Sequence, residues 1–121
     1  MGVAHHTHYF VWFELGRTEL MRQAGCAYGA LEDDDGVFFP VIEAGATYRS
    51  PARYDEIVEI ETRLAGADGV RVRFEYVVRR SEDDRVLATG FTVHASCGRD
   101  GRPMRLPESL RHRLSEAGDA R

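Results

Sequence analysis

The chain has 121 residues, a single domain over 1–121, large enough to enclose a core and small enough that sites in such chains often form between subunits. A net charge of -4 excludes a basic stripe for nucleic acid, and all 16 basic residues are scattered arginines with no lysine, a compositional bias rather than a binding signal. Cys26 and Cys97 fit no metal spacing, the polar N-terminus has no secretory leader, and no apolar run nears the roughly eighteen residues of a membrane span, so reduced thiols in a cytoplasmic protein are expected.

In chain order, the cluster His5, His6 and His8 runs into the apolar segment Tyr9 to Ala24. That segment predicts one long helix, with Thr7 or His8 as N-cap and Gly25 as C′ residue. Tyr9, Phe10, Val11, Trp12, Phe13 and Leu15 are apolar almost all the way round, which predicts a buried helix. The acidic run Glu32 to Asp35 reads as a solvated loop, since consecutive Asp side chains diverge and no calcium-loop spacing follows.

From Val37 the period changes to two. Phe38, Ile42, Ala44, Ala46 and Tyr48 share one face of a strand that has Gly45 as a bulge or bend and is ended by Pro51. Val58, Ile60, Thr62 and Leu64 then oppose Ile57, Glu59, Glu61 and Arg63; Ala65 to Gly69 turns the chain. Val70, Val72, Phe74, Tyr76 and Val78 form the next apolar face, Ser81 to Arg85 the next turn, and Leu87, Thr89, Phe91, Val93 and Ala95 the last apolar face. The pattern predicts an α+β domain, a four-strand meander after one buried helix. Pro107 opens a short terminal helix carrying Leu110 and Leu114, with fraying over 117–121.

The run Gly2-Val3-Ala4-His5-His6-Thr7-His8-Tyr9, followed by Trp12-Phe13-Glu14-Leu15-Gly16-Arg17-Thr18-Glu19, resembles the signature of hotdog-fold acyl-CoA thioesterases. It is most similar to the 4-hydroxybenzoyl-CoA thioesterase branch and its Tol-Pal-associated relatives. Tyr48-Arg49-Ser50-Pro51-Ala52-Arg53-Tyr54-Asp55 matches the segment after that family's second strand, and Leu106-Pro107 its closing proline. The resemblance implies an antiparallel sheet curled around a central helix, edge-to-edge pairing into a homodimer or homotetramer, and a site at the interface that hydrolyses an acyl-CoA thioester without a cofactor.

A helix N-terminus offers unpaired N–H groups and partial positive charge to the oxyanion that develops on a thioester carbonyl. His6 aligns with the family's histidine there: its N–H would polarise the carbonyl and its imidazole position water or the leaving thiolate. The family's catalytic Asp and first strand align upstream of Met1, so the resemblance implies that Met1 is an internal methionine and that the edge of the strand over 55–64 is expected without its neighbour. Glu14 is then the candidate base and Glu19 a weaker one, each with a structural pair to Arg17 or Arg22 as its alternative. Tyr9 is expected at the substrate, and Arg49 and Arg53 at the phosphates of coenzyme A. No metal is expected, because adjacent histidines at a helix start do not converge. Two alternatives stay open: a protein that binds an acyl thioester or a partner subunit without efficient hydrolysis, and a carrier-protein thioesterase or dehydratase on the same fold.

Overall fold

The computed structural model describes residues 6–24, 36–53 and 55–119. Helix α1 (His6–Gln23) is followed by strands β1 (Val41–Tyr48), β2 (Val58–Asp68), β3 (Arg71–Arg80) and β4 (Val86–Ala95), then helix α2 (Glu108–Asp119). The strands form one antiparallel sheet in the order β1-β4-β3-β2. Only β2 to β4 make a meander, because β1 pairs with β4 instead of β2. The segment after β1 therefore crosses the end of the sheet, about three strand spacings or 14 Å, and the Arg49 and Ser50 N–H groups both donate to the Leu87 carbonyl on the way.

Two bulges account for most departures from simple alternation. In β2 the register shifts between Leu64 and Gly66, so the strand continues through the expected turn to Asp68. The reversal is the two-residue turn Gly69–Val70, with Gly69 at φ +62°; a positive φ at the first turn position suits glycine. At the start of β4 the pairing jumps from Val78↔Ala88 to Arg79↔Val86, leaving Leu87 as an extra residue. Leu87 and Ala88 are both buried, and beyond them the inward face is Ala88, Gly90, Thr92 and His94. The expected face of Thr89, Phe91, Val93 and Ala95 thus lies on the other side of the sheet, where Val93 is buried and the other three are half-buried, since one inserted residue reverses a period of two. Gly45 is not a bulge: the β1 irregularity lies between Val41 and Glu43.

The core sits between the sheet, α1 and α2. Phe13, Leu20 and Met21 of α1 pack with Val72, Phe74, Tyr76 and Val78 of β3 and with Leu106, Leu110 and Leu114. Phe13 stacks on Tyr76 at 4.5 Å between ring centroids. Close approach at the helix needs Gly16, where a Cβ would come within 2.7 Å of Ile60. At the other end of the helix Arg113 of α2 donates to the Ala24 carbonyl, a cation at a helix C-terminus.

Helix α1 is not enclosed all round. The sheet covers one side and α2 another, so Phe10, Val11 and Leu15 remain 40%, 50% and 58% exposed. Its N-terminus also lies earlier than expected, at His6, which puts Thr7 and His8 inside the first turn rather than at the cap. The terminal helix runs on to Asp119, past the expected fraying point. Gly25, Cys26 and the run Glu32 to Asp35 lie outside the described residues, as do His5 and Met1 to Ala4.

Candidate active site

The start of α1 and the segment after β1 meet at one end of the molecule. Tyr9, one turn into the helix, is 3% exposed; its ring packs edge-on against Trp12 at 5.0 Å and Tyr48 at 4.8 Å. Its hydroxyl is hydrogen-bonded with the Ala52 backbone. Burial raises the Tyr9 pKa, the Ala52 bond pulls it down, and the neighbouring Tyr48 and Glu56 add smaller upward pushes. Tyr9 is therefore a wall that fastens 48–53 to the helix start and has little open surface of its own.

Arg49 and Arg53, on that fastened segment, are both exposed. Arg53 approaches Glu56 at 4.0 Å, and Glu56 is held more closely by Arg80, which also contacts Asp83 at 3.1 Å. The Glu56–Arg80 pair is a part of this end that the sequence reading missed. Only the register Val58↔Arg80 brings the start of β2 against the end of β3, and no local spacing encodes that.

The expected residues do not all converge. His6 opens α1, so its backbone N–H is among those that a first helical turn leaves without an intrahelical acceptor. Glu14 is exposed and eight residues further along, about 12 Å down the axis at 1.5 Å per residue. Among the described residues the ion pair on this stretch of the helix is Glu19 with Arg22, and Glu14 has none. Glu19 pairs with Arg22 at 2.5 Å on the exposed face, and the hydrogen bond from Arg22 holds its carboxyl below the usual range. The expected buried pairing is thus an exposed one, confined to Glu19. Arg17 instead turns inward and donates to the Tyr76 hydroxyl.

Among the described residues no three His, Cys, Asp or Glu side chains gather as a metal site. No described helix is long and apolar enough to cross a membrane. A depression of about 480 Å³ lies on the outer face of the sheet, lined by Gly45, Arg63, Arg73, Glu75 and Phe91, away from the helix start. Its charges are already engaged: Glu75 pairs with Arg63 and with Arg73, and Arg73 lies 4.2 Å above the Phe91 ring.

The thioesterase-like superfamily matches residues 1–114. The solved structure of hypothetical protein TT1821 from Thermus thermophilus is 42% identical with a TM-score of 0.86, covering 97% of this chain and 88% of that one. Bacillus subtilis YneP is 33% identical over 76 residues, 63% of this chain, and the match spans about half of that protein, 54%. The acyl-CoA thioester hydrolase YbgC of Escherichia coli O6:H1 is 28% identical over 109 residues, 90% of this chain and 81% of that protein. The sheet with one long helix packed on it is the hotdog fold.

Proposed function

Because this chain belongs to the thioesterase-like superfamily, we propose that it hydrolyses an acyl-CoA thioester to the free acid and CoA, with the carbonyl polarised at the start of α1. The observation that carries the reading is the juxtaposition at one end of the molecule of a helix N-terminus and a segment with two exposed arginines, joined through Tyr9. The first-turn N–H groups, His6 among them, suit a developing oxyanion. The His6 imidazole positions water or the departing thiolate, and Arg49 and Arg53 take the phosphates of coenzyme A. The resemblance to YbgC supports the substrate class.

A second copy completes the site in this reading. Phe10, Val11 and Leu15 on α1 and Val41, Ile42 and Tyr48 on β1, an edge strand among the described residues, form exposed apolar surface. A homodimer, or a homotetramer built from it, would cover them. Glu14 is the candidate base; at about 12 Å from its own helix start, it would serve a thioester bound by the other copy.

One observation favours the alternative of a binder that hydrolyses poorly: Glu19 and Glu56 are both ion-paired with arginines, and Glu14 lies two turns from His6. Measuring thiol release from a panel of acyl-CoAs, alongside ligand-induced thermal stabilisation, separates the two. Turnover supports the hydrolase, whereas stabilisation by an acyl-CoA without thiol release selects the binder.

A further inference from the structure

Beneath α1 a buried chain of hydrogen bonds runs from the helix through the sheet to the segment before β1. Arg17 Nη1 lies 3.0 Å from Tyr76 Oη, Tyr76 Oη 2.6 Å from Thr92 Oγ1, and Thr92 Oγ1 2.9 Å from His94 Nε2. His94 Nδ1 lies 2.8 Å from the Phe39 carbonyl oxygen. All four side chains are buried.

With His94 neutral, the two ends fix the direction of every bond between them. A carbonyl only accepts, so the His94 proton sits on Nδ1 and the neutral ring accepts at Nε2. Thr92 must donate there and therefore accept from Tyr76. Tyr76, having donated its one proton, accepts from the Arg17 guanidinium, which only donates. A second proton on His94 would make Nε2 a donor facing Thr92. The Thr92 proton would then turn toward Tyr76, and the Tyr76 proton would lose its acceptor.

Tyr76 is also gripped twice by α1. Phe13 stacks on its ring and Arg17 binds its hydroxyl, and these two residues are four apart on one helical face. A slip of α1 by one residue, about 1.5 Å, would break both contacts. On the reading that the start of α1 polarises the thioester, we propose that Tyr76, Thr92 and His94 are positioning residues for that site, a one-way chain that fixes α1 along its axis and requires His94 neutral with its proton on Nδ1. Among the described residues the groups facing His94 are Arg17 from α1, Tyr76 and the edge-on ring of Phe74 from β3, Thr92 from β4, and the Phe39 carbonyl. Burial, and then the Arg17 charge, disfavour its protonated form, while the Phe39 bond works against them.

The test combines three measurements on the whole chain: the His94 tautomer by long-range proton–nitrogen NMR, the emission of Trp12, the chain's one tryptophan, and kcat with acyl-CoA. Thr92→Val, which removes the hydroxyl at nearly constant shape, is expected to shift the Trp12 emission and lower kcat roughly ten- to a hundredfold with a smaller change in KM. Thr92→Ser restores both. An Nε2–H tautomer at His94, or Thr92→Val with wild-type emission and kcat, overturns the proposal. If the wild-type chain hydrolyses no acyl-CoA, the thioester reading fails, while the tautomer and the emission of the two variants still decide the positioning role.

Discussion

Gly90→Ala tests the packing that seats α1 on the sheet. A Cβ on Gly90 would run into the Phe13 ring on one side and come within 2.8 Å of the Gly45 carbonyl oxygen on the other. Neither can easily yield: the oxygen belongs to strand backbone, and Phe13 is fully buried between Tyr76, stacked at 4.5 Å, and Phe10, edge-on at 5.7 Å. Forcing one extra methyl into such a place costs about 1–3 kcal/mol, and disturbing the ring stack adds about 0.5–1.5 kcal/mol. Replacing glycine inside a strand returns about 0.5–1 kcal/mol. The expected net loss is about 2 kcal/mol, roughly 8 °C in Tm for a domain of this size. Gly45→Ala is the matched control. Its Cβ would meet Phe91 Cε1 at 2.6 Å, but that ring lies on the outer face and can turn aside, so the loss should stay below about 1 kcal/mol. Urea unfolding followed by circular dichroism measures both, and Phe13→Leu combined with Gly90→Ala should recover part of the loss through coupling. Equal midpoints for the two alanine variants, or a Gly90→Ala chain as stable as wild type, would refute the reasoning.

Acid should weaken the fold through His94. Its folded pKa lies below the ordinary 6.5 because of burial, so its contribution is fully present above pH 6.5 and is lost as the pH falls below that value; urea midpoints should decline there, and less steeply in His94→Gln. His6→Ala is expected to lower acyl-CoA turnover by about 10²-fold or more, with His8→Ala nearer wild type; equal losses in steady-state assays would remove the special role of the helix start. Leu15→Glu places a charge on the exposed apolar face of α1 and should shift light-scattering mass toward the monomer without lowering helix content; an unchanged mass would show that this face is not the interface. Asp84 occupies φ 60° in the β3–β4 turn, so Asp84→Val should cost about 1–2 kcal/mol in urea unfolding while Asp84→Gly stays close to wild type.

The parts of the fold that sequence reveals are those where local chemistry decides. Val72, Phe74, Tyr76 and Val78 alternate cleanly and are all buried, because β3 is an internal strand with one face on the helix. Alternation in β4 misleads from Thr89 onward because the extra residue at Leu87 leaves no mark in composition: Phe91 is the more apolar residue, yet Gly90 and Thr92 face the core. Strand order escaped for a related reason, since the pairing of β1 with β4 depends on tertiary register. At the candidate site the histidine run and the arginines after β1 were legible as motif. The meeting of the helix start with the segment after β1 was not, because it depends on Tyr9 reaching Tyr48 and Ala52, and the Glu56–Arg80 pair arises only when β2 lies against β3.

The crossing between β1 and β2 bears on the order in which the chain assembles. Asp68 pairs with Arg71 across a two-residue turn, and Arg79 with Val86 across a short one, whereas Tyr48 must find Ala88 and Val41 must find His94. Closing a loop of roughly 40 residues costs about 2 kcal/mol more entropy than closing a hairpin. The β2-β3-β4 meander is therefore the nucleus expected to form first, and β1 docks late, with low φ-values at Ala44 and Ala46 and higher ones at Phe74 and Tyr76. Until it docks, β4 presents a bare edge to any other chain, so slow β1 docking makes refolding yield fall with protein concentration.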